Sequence, residues 1–196
     1  MPSNCRDALI EAAERLFRTR GFHASGIDAV LKEAGVSRMT LYNHFSSKDD
    51  LIVAALRRHD ERARIAFVRA IEARASDPEE RLLAVLAHGR DVCEGSQFCG
   101  CLFVNAAAEY SDADDPIRTT GREHKAFVRR YLTKQAEAAG YDQPDHVAMQ
   151  IQLLFDGLLG ISQIEKSSSD KLRPFAKAAL EAGRVVLEAA PRGAPA

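Results

Sequence analysis

Along this chain apolar residues recur at the three- and four-residue spacing of helices, and strand-like alternation is rare. Leu9, Ala12, Ala13, Leu16 and Phe17 make one such stripe, a first helix ending at Gly21. Ile27, Val30, Leu31 and Ala34 repeat it over a shorter second helix, with Ser25 as expected N-cap and Gly35 as its stop. Ser37 is placed to cap a third helix over 38–44, and Ser47 a fourth that starts at Lys48 and runs to about residue 75. Pro78 suits the first turn of a fifth helix, 79–94. "GSQFCG" reads as a loop, "CLFVNAAAEY" as a short helix, and "SDADDP" as a break before a helix over 116–139. Two more helices, 144–165 and 170–189, are separated by "KSSSD". The pattern predicts an all-α fold.

Composition narrows the class little. The 196 residues are 46% hydrophobic and 28% charged, enough apolar material for a large core. Net charge is −1, so the chain as a whole lacks the basic excess of many nucleic-acid binders. One local exception stands out: between Gly35 and Lys48 there are two cations, Arg38 and Lys48, and no acid. No N-terminal stretch reads as a signal peptide, and the apolar segment 151–164, interrupted by Asp156, is too short to span a bilayer. Four cysteines without a secretory signal read as reduced thiols. The expectation is a cytoplasmic protein that does not engage membranes.

The second helix, the turn "AGVS" and the third helix have the lengths of a helix-turn-helix, a unit that lays its second helix in the major groove of DNA. In that setting the planar fork of Arg38 matches the O6 and N7 edge of guanine. Thr40, Tyr42 and His44 carry groups able to bond phosphate oxygens, and Lys48 can hold another phosphate. The competing account is an ordinary helix pair with a solvated polar face. Leu41 and Phe45 read as core anchors on either account.

The segment "GFHASGIDAVLKEAGVSRMTLYNHFSSKDDL", residues 21–51, resembles the DNA-binding segment of the TetR (tetracycline-repressor-like) family of bacterial regulators. Gly21-Phe22, Ile27, Ala34-Gly35-Val36-Ser37, Thr40-Leu41-Tyr42, His44-Phe45, Ser47-Lys48 and Leu51 carry the likeness. The resemblance implies a DNA-binding domain over 1–50 and an effector-binding and dimerisation domain over 51–190, while the tail "PRGAPA", 191–196, is expected to be disordered from its composition. It further implies a repressor that binds a palindromic operator as a homodimer and is released by a small molecule. The DNA-binding positions it carries over are Ser25, Ser37, Arg38, Met39, Thr40, Tyr42, Asn43, His44 and Lys48. Gly26 stands where the family often has a second Thr, and Met39 replaces a frequent small residue and is placed to meet a thymine methyl.

In the body, aromatic and isolated polar residues on helices are candidate effector contacts: Phe67, Phe103, Asn105, Phe127, Tyr131, Gln152 and Phe155. Their apolar character points to a hydrophobic or aromatic effector. Candidate dimer contacts are Leu153, Leu154, Gly157, Leu158, Ile161 and Ile164 on one helix, with Phe175, Ala179, Ala182 and Val186 on the next. Cys93, Cys99 and Cys101, with His88 nearby, raise a thiol- or metal-responsive alternative, although C-x5-C-x-C lacks the paired spacing of a structural zinc site. A cysteine hydrolase using Cys99 or Cys101, His88 or His124 and Glu109 is a more remote one; no catalytic motif or phosphate loop accompanies these residues. No cofactor, metal ligand set or catalytic residue is expected.

Overall fold

The computed structural model describes residues 5–96, 98–165 and 169–193. Among them are nine α-helices: α1 Cys5–Arg20, α2 Ile27–Ala34, α3 Arg38–His44, α4 Lys48–Glu72, α5 Pro78–Glu94, α6 Leu102–Glu109, α7 Pro116–Ala138, α8 Pro144–Ile164 and α9 Ser169–Ala189. Helices are made where the apolar stripes lie, and their ends follow local chemistry. Asp77 caps α5 by accepting from the amides of Glu79 and Glu80, with Pro78 in the first turn. Ser47 accepts from the amide of Asp50 at the start of α4.

The chain divides into two compact units, residues 1–63 with 101–124, and residues 64–100 with 125–196. This differs from the contiguous division at residue 50, because packing takes the first part of α4, all of α6 and the start of α7 into the first unit. Leu102, Phe103, Ala106 and Ile117 are buried in one cluster with Leu9, Phe17, Phe22, Leu41, Leu51 and Leu56. In the second unit α5, α8 and α9 pack on one another. There α8 is 21 residues long, and by length and composition alone it meets the requirement of a membrane span, unlike the shorter stretch read from sequence. Its apolarity has a simpler account, since Val147, Ala148, Ile151, Phe155 and Leu158 are buried in the core. Residues 191–193, expected in a disordered tail, are instead tied down: the Pro191 carbonyl accepts from the Asp142 amide at 3.0 Å, and the Arg192 guanidinium lies over the Tyr141 ring. Residues 194–196 of that expected tail lie outside the described residues.

A buried ionic contact ties α1 to α4. The Glu14 carboxylate, almost wholly buried, meets His59 Nδ1 at 3.0 Å and also accepts from Arg62. Burial alone would raise its pKa, but the His59 hydrogen bond and the charges of Arg62, His59 and Arg18 outweigh it and hold the carboxyl below the ordinary 4.5. A depressed folded-state pKa stabilises the fold above pH 4.5, and that contribution disappears as pH falls through the lowered value. Glu14→Gln is therefore expected to cost about 1–2 kcal/mol in urea unfolding at neutral pH. Its deficit relative to wild type should shrink on acidification; a deficit constant with pH would assign the effect to packing.

Candidate nucleic-acid interface

The α2–α3 pair is built from punctuation residues and two apolar anchors. Gly35 takes the left-handed conformation, φ 67°, and its amide closes onto the Leu31 carbonyl, which ends α2. Two residues later Ser37 is extended and caps α3, accepting from the Thr40 amide at 3.1 Å while its hydroxyl lies 2.9 Å from that of Thr40. Leu41 and Phe45 bury one side of α3. The opposite side is left outward. Met39 is 75% exposed and Tyr42 53%, with Arg38 and Asn43 exposed beside them. At about 100° per residue these four fall on one continuous arc of a short helix.

Several expected contacts sit differently. Ser25 is corrected: it is fully buried, its hydroxyl donates to the Gly21 carbonyl at 2.7 Å, and the N-cap of α2 is Gly26, with no side-chain cap. A buried hydroxyl already spent on the backbone cannot also reach a phosphate. Thr40 is half-buried and shares its hydroxyl with Ser37. His44 is exposed, but lines a shallow groove of about 600 Å³ with Arg6, Arg57, Arg58 and Glu61. Lys48 donates to the Phe22 carbonyl at 2.7 Å and leaves further N–H groups on its ammonium. Arg38 donates to Asp28, a pairing across the turn that sequence reading did not find.

The candidate effector residues are gathered only in part. In the second unit Phe67 meets three rings edge-on, His88 at 5.7 Å, Tyr131 at 5.4 Å and Phe155 at 6.1 Å. Gln152, one turn before Phe155, donates to the Lys125 carbonyl at 3.2 Å. Its Oε1 is buried without a partner, as is the Tyr131 hydroxyl. Burial foremost, then the charge of Arg74, lowers the His88 pKa against the opposing pull of Asp91, so its ring is neutral at pH 7. Phe127 stands apart, with the Arg64 guanidinium 4.6 Å from its ring centre beside an open groove. Phe103 belongs to the first unit, stacked on His124 at 4.0 Å, and Asn105 lies half-buried on the same helix.

On the expected dimer face, Leu158 and Ala179 are corrected to core positions, since both are buried within the subunit. Of the expected residues Leu153, Gly157, Ile164 and Phe175 are exposed and Leu154, Ile161, Ala182 and Val186 half-buried, and Met149 and Gly160 on α8 with Val185 and Ala189 on α9 are exposed as well. Nothing lies within 4 Å of a side chain added at Gly157 or Gly160.

All four cysteines are free thiols, and Cys99 and Cys101 are half-buried. Cys93 is buried, its thiol pointing to the Leu158 carbonyl at 3.9 Å, and burial, opposed by Ser162, pushes its pKa up, away from the reactive thiolate. Among the described residues no group of three or more His, Cys, Asp and Glu stands close enough to hold a metal ion. Glu109, drawn for the hydrolase alternative as an orienting carboxylate, is committed elsewhere: it accepts from the amides of Phe22 at 2.9 Å and His23 at 2.6 Å. His124 pairs with Asp60 at 2.7 Å.

Residues 9–55 match the family model described as bacterial regulatory proteins, tetR family, and residues 78–179 match the tetracyclin repressor-like C-terminal domain. The activator FasR of Mycolicibacterium smegmatis is 41% identical over 81 residues, a match that covers 41% of this chain and spans only 36% of FasR. The regulator LmrA of Bacillus subtilis is 33% identical over 85% of this chain and 90% of its own length. Among solved structures, the TetR-family regulator SCO4454 of Streptomyces coelicolor superposes with a TM-score of 0.82 at 30% identity, covering 94% of each chain. The fold is shared too by a cysteine mutant of the regulator CifR in complex with operator DNA, with a TM-score of 0.77 at 18% identity over 92% of this chain and 97% of that one. A capped recognition-type helix, a helical body and these matches agree: this chain belongs to the tetR family of bacterial transcriptional regulators.

Proposed function

We propose that this protein is a cytoplasmic repressor that binds a palindromic DNA operator as a homodimer through α3 and releases it when a hydrophobic or aromatic effector occupies the second unit. The observation that carries the DNA reading is the outward arc of α3. Arg38, Met39, Tyr42 and Asn43 are held outside by a capped helix whose inner side is fixed by Leu41 and Phe45. That division of faces is what a major-groove reader needs, because anchored helices place base-contacting side chains reproducibly. Operator DNA in the CifR complex supports the same use of the fold. The dimer reading is supported by the outward apolar residues of α8 and α9. Two copies must present α3 about 34–36 Å apart, one DNA turn, so an effector that prefers another spacing lowers DNA affinity by population shift. The effector reading is supported by the packed Phe67, Tyr131, Phe155 and His88 rings, beside which the Tyr131 hydroxyl and Gln152 Oε1 are buried without partners that an uncharged, largely apolar ligand could supply.

The test is selection of genomic fragments by purified protein, then mobility shifts on the enriched DNA. Arg38→Ala is expected to weaken binding by about 1–3 kcal/mol and relax preference at one base position, while Tyr42→Ala weakens binding to all sequences. Folded, dimeric protein that enriches no site, with no effector co-purifying by mass spectrometry, would overturn the reading.

A further inference from the structure

We propose that Asp28 is a specificity-determining residue, which orients the Arg38 guanidinium toward one base edge and so sets a guanine preference in each half-site. This deepens the reading of α3 as the DNA-reading helix and rests on it. Asp28 lies in the first turn of α2, and its carboxylate accepts from Arg38 Nη2 across the turn. Both side chains are exposed, 82% and 56%, so the pair lies open on the surface beside Met39 and Tyr42.

Charge makes the position informative. From Gly35 to Lys48 the sequence holds no acid, yet Asp28 places a carboxylate against the first residue of α3. Beside phosphates a carboxylate is repelled, so on affinity alone it is a disadvantage. Geometry offers what offsets it. A guanidinium has five N–H donors in a fixed fork; Asp28 takes one, and a guanine edge needs two. A long arginine has both phosphate and base edges within reach, and phosphate carries no sequence information. Held by Asp28, the fork is biased to one direction. The competing role is stabilisation of the positive end of α2, which acts on folding and leaves base preference unchanged.

The experiment is selection from a randomised operator pool with wild type, Asp28→Ala, Asp28→Asn, Arg38→Ala and the Asp28→Ala/Arg38→Ala double variant, each checked by thermal melting. Wild type is expected to show guanine at one position of each half-site. Both Asp28 variants should lose about ten-fold of that discrimination, within the range of one bidentate contact, with total affinity unchanged or higher. The double variant should match Arg38→Ala, because a positioning residue has no effect once the residue it positions is gone. Full guanine preference in both Asp28 variants, with its loss in Arg38→Ala, would reduce Asp28 to a surface ion pair and end the proposal. Should wild type enrich no sequence, the underlying reading of α3 fails, a result distinguishable from the former because no preference then exists to lose.

Discussion

Glu109→Ala is expected to lower the free energy of unfolding by about 2–3 kcal/mol, the scale of a charge-assisted hydrogen bond lost from a donor that water cannot reach. The carboxylate holds two successive backbone amides, Phe22 at 2.9 Å and His23 at 2.6 Å, from the far end of α6. Phe22 is fully buried, so its amide is left unsatisfied by the truncation, whereas His23 is exposed and can rehydrate. The contact is close enough to restrict its neighbour. Gly21 sits at φ 88°, and a Cβ there would meet Glu109 Oε1 at 2.9 Å. The His23 ring adds a contact to the Glu109 carbonyl at 3.0 Å and stacks on Tyr110 at 4.8 Å. Glu109→Gln should recover little, because its amide nitrogen turns a donor toward one of two donors. On the other side of the same turn, the Phe22 carbonyl accepts from Lys48, so loosening it also frees a candidate phosphate contact. Urea unfolding of the three proteins measures the loss; a shift within about 0.5 kcal/mol, ordinary for a surface change, would show the amides find water instead.

What sequence made legible, and what it hid, follows from how local each cause is. The third helix was readable at 38–44 because its causes lie within ten residues: Gly35 to end α2, Ser37 to cap, Leu41 and Phe45 to anchor. Ser25 misled for the same reason. A serine before an apolar stripe has the signature of an N-cap, and only the packed structure shows its hydroxyl turned back to Gly21. The Glu109 clamp bridges 87 residues and obeys no period, so no pattern along the chain could announce it. Phe103 and Phe127 show the limit of composition. Their positions marked them as aromatics on body helices, but one packs into the first unit's core and the other stands at an open groove. Leu158 and Ala179 failed by a narrow margin of phase. On α8 the outward stripe runs through Met149, Leu153, Gly157 and Ile164, and Leu158 lies one residue off it, turned toward the core.

That stripe carries the other large expectation, that Leu153→Arg yields a monomer with operator affinity reduced at least about 100-fold, the loss expected when two linked half-site contacts become one. Leu153 is 68% exposed, Ile164 78% and, on α9, Val185 62%, so three branched side chains face outward from two helices that pack on each other. Exposed apolar residues gathered on two packed helices are the kind of surface that a second copy would cover. In a two-fold interface each substitution appears twice, and two arginines brought together lose the apolar contact and add like-charge repulsion. Ile65→Arg is the matched control. Ile65 is also exposed and apolar, but it lines the groove beside Phe127 and not the α8–α9 face. Light scattering after size exclusion, with mobility shifts on the selected operator, gives both readouts. A monomeric Leu153→Arg with a dimeric Ile65→Arg places the second copy on α8 and α9 and makes its loss the cause of the weaker binding. The reverse pattern moves the interface to the groove of α4 and α7 and leaves the α8–α9 face without the partner assigned to it.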